Sequence, residues 1–316
     1  MFFKSFFVYG SHFLGLLCIK TAKISSKSLN KCGGTSNEMT DFKIVRKEDL
    51  NLADYLIEVE APNVAEKFRP GHFVILMTHE NGERIPMSVK SAENGNIVMF
   101  IKRLGKTSLE LDDYKVGDSF YEVIGPQGKE FPIKKYGNIV WCSDLVCGHA
   151  ENYAYCEALS KVEGNHVISI QSFATIDDAY GEEDLRSVSD EYYITTEDGS
   201  YGQKGHYLDV VKRLLEEKRV DIVLGCGNID KLKDMAELTK KYDVKAMAVL
   251  RQIMVDGTGM CGACRVFIDG VMMLTCIDGP LFDAHKVNFD EVINRLGMFK
   301  EPEKLHKEIY LQGRAK

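Results

Sequence analysis

The chain has 316 residues, 45% of them hydrophobic and 28% charged, with a net charge of −7. Length and composition fit a globular protein of two domains with an appendage. The acidic balance argues against a nucleic-acid binder, which carries a basic face. Nine cysteines, three of them in one short segment, do not form a secreted disulfide framework and suit a reducing compartment.

The first 37 residues contain Lys4, Lys20, Lys23, Lys27 and Lys31 and no acid. Their apolar stretch, about 14 residues, is short of a membrane span. Basic, Ser-containing and acid-free as far as residue 37, residues 1–38 read as an organelle-targeting presequence, which would place the protein in a mitochondrion-type matrix. The rival readings are a secretory signal or anchor, and a cytoplasmic protein starting at Met39. A membrane enters only if residues 1–20 stay as an anchor.

Residues 39–135 read as β. Short apolar runs at 42–45, 55–59, 73–77, 87–90, 96–101 and 119–124, with turn residues between them, predict a six-stranded antiparallel barrel. A short helix is expected at 106–111. Residues 136–252 change period: strands at 138–142, 166–172, 191–195, 220–224 and 245–250 alternate with helices at 148–161, 208–218 and 231–242. That alternation predicts a parallel α/β sheet with helices on both faces. Cys142, Cys147, Cys156 and Cys226 lie in apolar or Gly-containing contexts and read as small core residues.

Residues 253–316 hold the metal-like segment. Asp256, Cys261, Cys264 and Cys276 are spaced D-x4-C-x2-C-x11-C. With Cys in place of Asp, this is close to the spacing that holds a plant-type [2Fe–2S] cluster. Soft thiolates suit iron–sulfur, and a carboxylate can complete one iron. Gly257, Gly259 and Gly262 allow a tight loop. Asp269-Gly270 signals a hairpin that returns Cys276 to the first two cysteines. A structural zinc site is the alternative, since C-x2-C serves both metals. A last helix is expected at 289–298.

From about Asp41 to Lys304 the chain resembles the ferredoxin–NADP reductase superfamily. It looks most like the small subunit of NADH-dependent ferredoxin:NADP oxidoreductase (sulfide dehydrogenase), and is similar to the dihydroorotate dehydrogenase electron-transfer subunit. The resemblance is most specific in Ile253-Met-Val-Asp-Gly-Thr-Gly-Met-Cys-Gly-Ala-Cys-Arg265, in Cys276-Ile-Asp-Gly-Pro280 and in the 287–299 tail.

The resemblance implies FAD, a [2Fe–2S] cluster and a larger flavoprotein partner resembling the glutamate synthase small chain, with ferredoxin as a further partner. Arg84, Pro86, Met87 and Ser88, with Gly105, Lys106, Thr107 and Ser108, match the family's FAD-holding strand and turn. Asp198, Gly199, Ser200, Cys226 and Gly227 match stretches near the nicotinamide. Asp256, Cys261, Cys264 and Cys276 match the cluster ligands. The family's glycine-rich pyrophosphate turn is degenerate here: of residues 142–152 only Gly148 remains, and Asp144 adds a negative charge that opposes phosphate. NAD(P)H binding is therefore in question. The expected function is an oxidoreductase subunit that passes electrons between a nicotinamide, FAD, the cluster and the partner. The alternative is a relay subunit that has lost nucleotide binding.

Overall fold

A computed structural model describes residues 41–314. The targeting reading of residues 1–38 lies outside the described residues. Six strands form first: β1 (Ile44–Asp49), β2 (Asp54–Glu60), β3 (Phe73–Met77), β4 (Arg84–Glu93), β5 (Asn96–Lys102) and β6 (Glu122–Gln127), with helices α1 (Pro62–Lys67) and α2 (Lys106–Asp112). They pair antiparallel in the order β1-β2-β5-β4-β3-β6. Asn94 and Gly95, at φ 51° and 82°, make the two-residue turn that sets the β4/β5 register. All five residues of β3 are buried. Each apolar side chain buried there contributes about 1.5–3 kcal/mol.

The second sheet follows as β7 (Asn138–Ser143), α3 (Val146–Ser160), β8 (His166–Phe173), α4 (Glu182–Ser187), β9 (Glu191–Thr196), β10 (Gln203–Lys204), α5 (Tyr207–Glu216), β11 (Ile222–Cys226), α6 (Ile229–Lys241) and β12 (Lys245–Val249). The thiol segment contributes β13 (Arg265–Ile268), β14 (Val271–Leu274), α7 (Thr275–Asp278) and β15 (Leu281–Asp283); α8 (Phe289–Leu296) and α9 (Lys300–Arg314) end the described chain. The strand order is β10-β9-β8-β7-β11-β12-β15. The sheet is mixed rather than parallel as expected, because β15 returns antiparallel along β12. Its core packs Val140, Ile168 and Val223 against Val211 and Leu214 of α5 and Met235 of α6.

Two features position the site. The chain runs from β7 out to β10, then crosses back to β11 on the other side of β7. The crevice at the C-terminal ends of β7 and β11 is therefore a topological switch point. Helix α3 packs against β4 and β5 of the first sheet and against β7, β8 and β11 of the second. Leu56, Phe100, Ala150, Phe173 and Tyr180 form the apolar cluster between them. Helix α9, which the sequence reading missed, has no buried residue; Tyr310 Oη donates to Asp113 Oδ2 at 3.0 Å, tying it beside α2.

Candidate functional site

All eight residues matched to FAD binding, Arg84, Pro86, Met87, Ser88, Gly105, Lys106, Thr107 and Ser108, line one cleft of about 1400 Å³. They converge because β4 supplies the first four and the turn entering α2 the others. The volume exceeds that of an ordinary small-molecule pocket, roughly 300–1,000 Å³, and suits a dinucleotide. Arg84 is exposed, with Glu122 Oε2 3.4 Å from its Nη2. Ser108 Oγ accepts the Leu104 and Gly105 N–H groups, both at 2.9 Å, so this hydroxyl holds the turn in shape. Thr107 Oγ1 is bonded to Glu83. Lys106 Nζ lies 3.2 Å from Glu110 Oε2, and the backbone is open at Gly105, where a Cβ would meet nothing within 4 Å. The cleft wall also carries buried polar atoms with no protein partner, Gln252 Nε2 and Oε1 and Glu151 Oε2. Buried polar atoms normally have partners, so a polar occupant fits this cleft.

Glu151, Cys147, Arg251 and Gln252 were not singled out as site residues, yet all four line the cleft. Cys147, read as a core residue, is half-buried and faces Arg251 Nη1 at 2.8 Å. The available signal was the polar group His149, Glu151 and Asn152 midway along α3. Ser88 Oγ donates to Glu151 Oε1 at 2.6 Å, joining β4 to α3. Burial raises the Glu151 carboxyl to about 7, the Ser88 hydrogen bond opposing it. A folded-state pKa raised above the usual 4.5 means the fold binds this proton more tightly than the unfolded chain. Glu151 therefore contributes stability that is present below pH 4.5 and is lost as pH rises through about 7. The loss is about 3 kcal/mol at most. Glu151→Gln should flatten this part of the stability-versus-pH curve, measured by denaturant unfolding at several pH values between 4.5 and 8; an unchanged slope counts against the assignment.

The five nicotinamide candidates do not line the cleft. Asp198, Gly199 and Ser200 form a turn after β9, where Asp198 Oδ1 accepts Ser200 N–H at 2.9 Å and Ser200 Oγ at 2.7 Å. Cys226 and Gly227 lie at the end of β11, three strands away in the sheet. At the switch point, Asp144 Oδ1 accepts the Asn228 N–H at 2.8 Å, and Oδ2 lies 3.1 Å from His206 Nε2. A Cβ on Gly227 would sit 1.7 Å from Asp144 Oδ1, so this glycine makes room for the carboxylate. A Cβ on Gly148 would sit 2.2 Å from the Cys226 carbonyl oxygen. The surviving glycine of the turn thus serves close helix–strand packing, while a carboxylate occupies the mouth of the crevice.

In the thiol loop, Cys264 Sγ and Cys276 Sγ are 3.2 Å apart. Asp256 accepts the Thr258 N–H on Oδ1 and the Cys261 N–H on Oδ2, both at 2.8 Å. These bonds, Thr258 first, hold its carboxyl below the ordinary value. The structure thus pairs Cys264 with Cys276 and ties Asp256 to Cys261 through the backbone. Among the described residues, no three His, Cys, Asp or Glu side chains gather as a metal-holding group. The donor set, soft thiolates with one carboxylate, still fits iron–sulfur chemistry. Asp269 and Gly270, at φ 51° and 75°, make the β13/β14 turn that the Asp-Gly pair requires. Cys264 and Cys276 pack with Phe73 and Ile75 of β3, and Phe73 also lines the cleft.

An antiparallel six-stranded sheet, a mixed α/β sheet, a dinucleotide-sized cleft at their junction and a thiol loop beside it define an electron-transfer protein of the ferredoxin–NADP reductase class. Residues 251–288 match the iron–sulfur cluster binding domain of dihydroorotate dehydrogenase B. A Thermotoga maritima protein, the dihydroorotate dehydrogenase B (NAD(+)) electron transfer subunit homolog, is 36% identical, covering 89% of this chain and 98% of that one. The solved structure of an NADH-dependent reduced ferredoxin-NADP oxidoreductase, described for flavin-based electron bifurcation, is 35% identical with a TM-score of 0.80, covering 89% of this chain and 100% of that one. A ferredoxin NADP+ reductase from Neisseria gonorrhoeae, with bound FAD and NADP, shares the fold alone, at 15% identity and a TM-score of 0.52 over 63% of this chain and 89% of that one. The chain belongs to the family of dihydroorotate dehydrogenase B electron-transfer subunits and their homologues, oxidoreductase subunits with FAD and an iron–sulfur cluster.

Proposed function

We propose that this subunit carries electrons between its FAD cleft and its thiol loop, and on to a larger flavoprotein subunit. The observation that carries this is Phe73, which borders the cleft and packs with Cys264 and Cys276. A flavin supplies exchange between two-electron and one-electron chemistry, and an iron–sulfur cluster supplies a one-electron exit. On this reading Arg84 and Lys106 hold the flavin's phosphates. Pro86, Met87 and Ser88 lie along its ring, with Gly105, Thr107 and Ser108 shaping the turn. Asp256, Cys261, Cys264 and Cys276 hold a [2Fe–2S] cluster, and the six-stranded sheet is a closed barrel. The functional segments are 39–135, 136–252 and 253–316, after a leader at 1–38 that directs the chain to an organelle matrix. The partner resembles the glutamate synthase small chain, and ferredoxin is a further exchange partner.

Asp144 favours a second reading, a relay that no longer takes hydride from NAD(P)H. Its carboxylate stands at the switch point and already engages Asn228 and His206. A like charge near a phosphate costs several kcal/mol where screening is weak, about 4 kcal/mol at 4 Å. Anaerobic titration of the isolated subunit with NADH and NADPH separates the two. Flavin bleaching at stoichiometric nucleotide supports direct hydride entry at Asp198–Ser200 and Cys226–Gly227. Reduction only after adding the partner subunit supports the relay. A purified protein without flavin and iron–sulfur absorption overturns both.

A further inference from the structure

Beside the residues matched to flavin phosphates and cluster, a group of nucleophilic and charged side chains stands at the switch point. Cys147 is the second residue of the 15-residue helix α3, where the helix dipole favours an anion. Arg251 Nη1 lies 2.8 Å from Cys147 Sγ, and its Nη2 donates to the Gly227 carbonyl at 2.8 Å. One guanidinium thus grips both the thiol and the turn after β11. Cys226, the last residue of β11, belongs to the buried cluster that Cys147 packs against. The two backbones touch here, which is why position 148 has no room for a Cβ. Cys147 is half-buried and opens into the cleft, whereas Cys226 is fully buried. Asp144, Glu151 and Tyr180 are the other charged or titratable groups near the sulfur. Asp144 is engaged by Asn228 and Glu151 by Ser88.

The geometry points to Cys147 and Cys226 as a thiol–disulfide exchange site in the flavin cleft, with Cys147 the attacking thiolate, Cys226 the resolving thiol and a low-molecular-weight disulfide the co-substrate. A partly exposed thiolate beside a cation, with a second thiol in contact, is the arrangement that reactive cysteines require. The neighbouring Cys226 thiol lowers the Cys147 thiol to about 6, with Arg251 helping. The same pairing and burial push Cys226 well above the ordinary value. The charge therefore resides on the sulfur that faces the cleft.

The Cys147 thiolate attacks one sulfur of R–S–S–R, forming a Cys147–S–S–R bond and releasing RS⁻. Cys226 then gives up its proton and attacks Cys147 Sγ, forming the Cys147–Cys226 bond and releasing the second R–S group as RSH with that proton. Two protein thiols are oxidised and one small disulfide is reduced to two thiols, a two-electron balance.

The test uses the full chain with its flavin bound and oxidised glutathione as the probe. Released thiol is counted, and modified peptides are mapped by mass so that Cys261, Cys264 and Cys276 are read separately. The expected product is a Cys147–Cys226 disulfide with two thiols released, at a rate inflecting near pH 6. Cys226→Ser should stop at the Cys147–glutathione mixed disulfide with one thiol released. Arg251→Gln should move the inflection upward and slow the reaction at pH 6.5 about tenfold. A wild-type inflection at about pH 8–9, the ordinary thiol range, overturns the proposal. So does a mixed disulfide that persists in the wild type. Both are read on unmutated protein, so a variant that fails to fold does not block the decision.

Discussion

Cys264→Ser protein is expected to purify with flavin absorption and without the broad visible absorption and electron paramagnetic resonance signal of an iron–sulfur cluster. Cys264 is 2% exposed and its sulfur lies 3.2 Å from that of Cys276. Serine puts a hard, weakly acidic hydroxyl where a soft thiolate is needed, so cluster occupancy should fall to near zero. The residues matched to flavin binding sit on β4 and at the start of α2, and none is bonded to Cys264. FAD should therefore stay. Loss of flavin along with the cluster would contradict two separate sites, and a retained cluster would remove Cys264 from the ligand set.

Gly148→Ala is expected to cost about 2 kcal/mol and lower the thermal midpoint by roughly 5 °C. The new Cβ would lie 2.2 Å from the Cys226 carbonyl oxygen and 2.9 Å from its carbon. Both are backbone atoms of β11, which is hydrogen-bonded to β7 and β12 and cannot yield alone. Alanine's better helix propensity, about 1 kcal/mol, returns only part of the overpacking cost. Because α3 carries Cys147 and Glu151, the displaced helix should also shift the Glu151-dependent pH profile. Thermal unfolding followed by circular dichroism checks the first effect; an unchanged midpoint would show that the contact relaxes freely.

Much of the architecture was legible from local pattern. The strand runs at 73–77 and 96–101 and the helices at 208–218 and 231–242 lie within about two residues of the observed elements. Their periodicity records which face each element buries, and that is a local property. The cleft-lining residues at 84–88 and 105–108 were legible for the same reason, since one strand carries the first group and one turn the second. The helix α9 was missed because its apolar residues Leu305, Ile309 and Leu311 stay exposed and leave no buried stripe to read. Strand β15 was missed because three residues are too few to show a period.

The role of Asp144 was half legible. The sequence showed a charge in a degenerate glycine turn. Only the folded chain shows that the charge is used, holding Asn228 and facing His206. Cys147 was read as packing, and Cys226 both as packing and as a residue near the nicotinamide, since neither has a partner within its own element.

By itself, then, the amino-acid sequence determined the order of elements, the thiol loop with its spacing and the two stretches, 84–88 and 105–108, that line the cleft. All of these are set by residues near one another in the chain. The tertiary structure decided what meets across it: Ser88 with Glu151, Arg251 with Cys147 and Phe73 with the paired thiols. These contacts join residues 63, 104 and more than 190 positions apart. Local periodicity cannot encode them, because they depend on how α3 seats between two sheets and on the crossover that puts β11 beside β7.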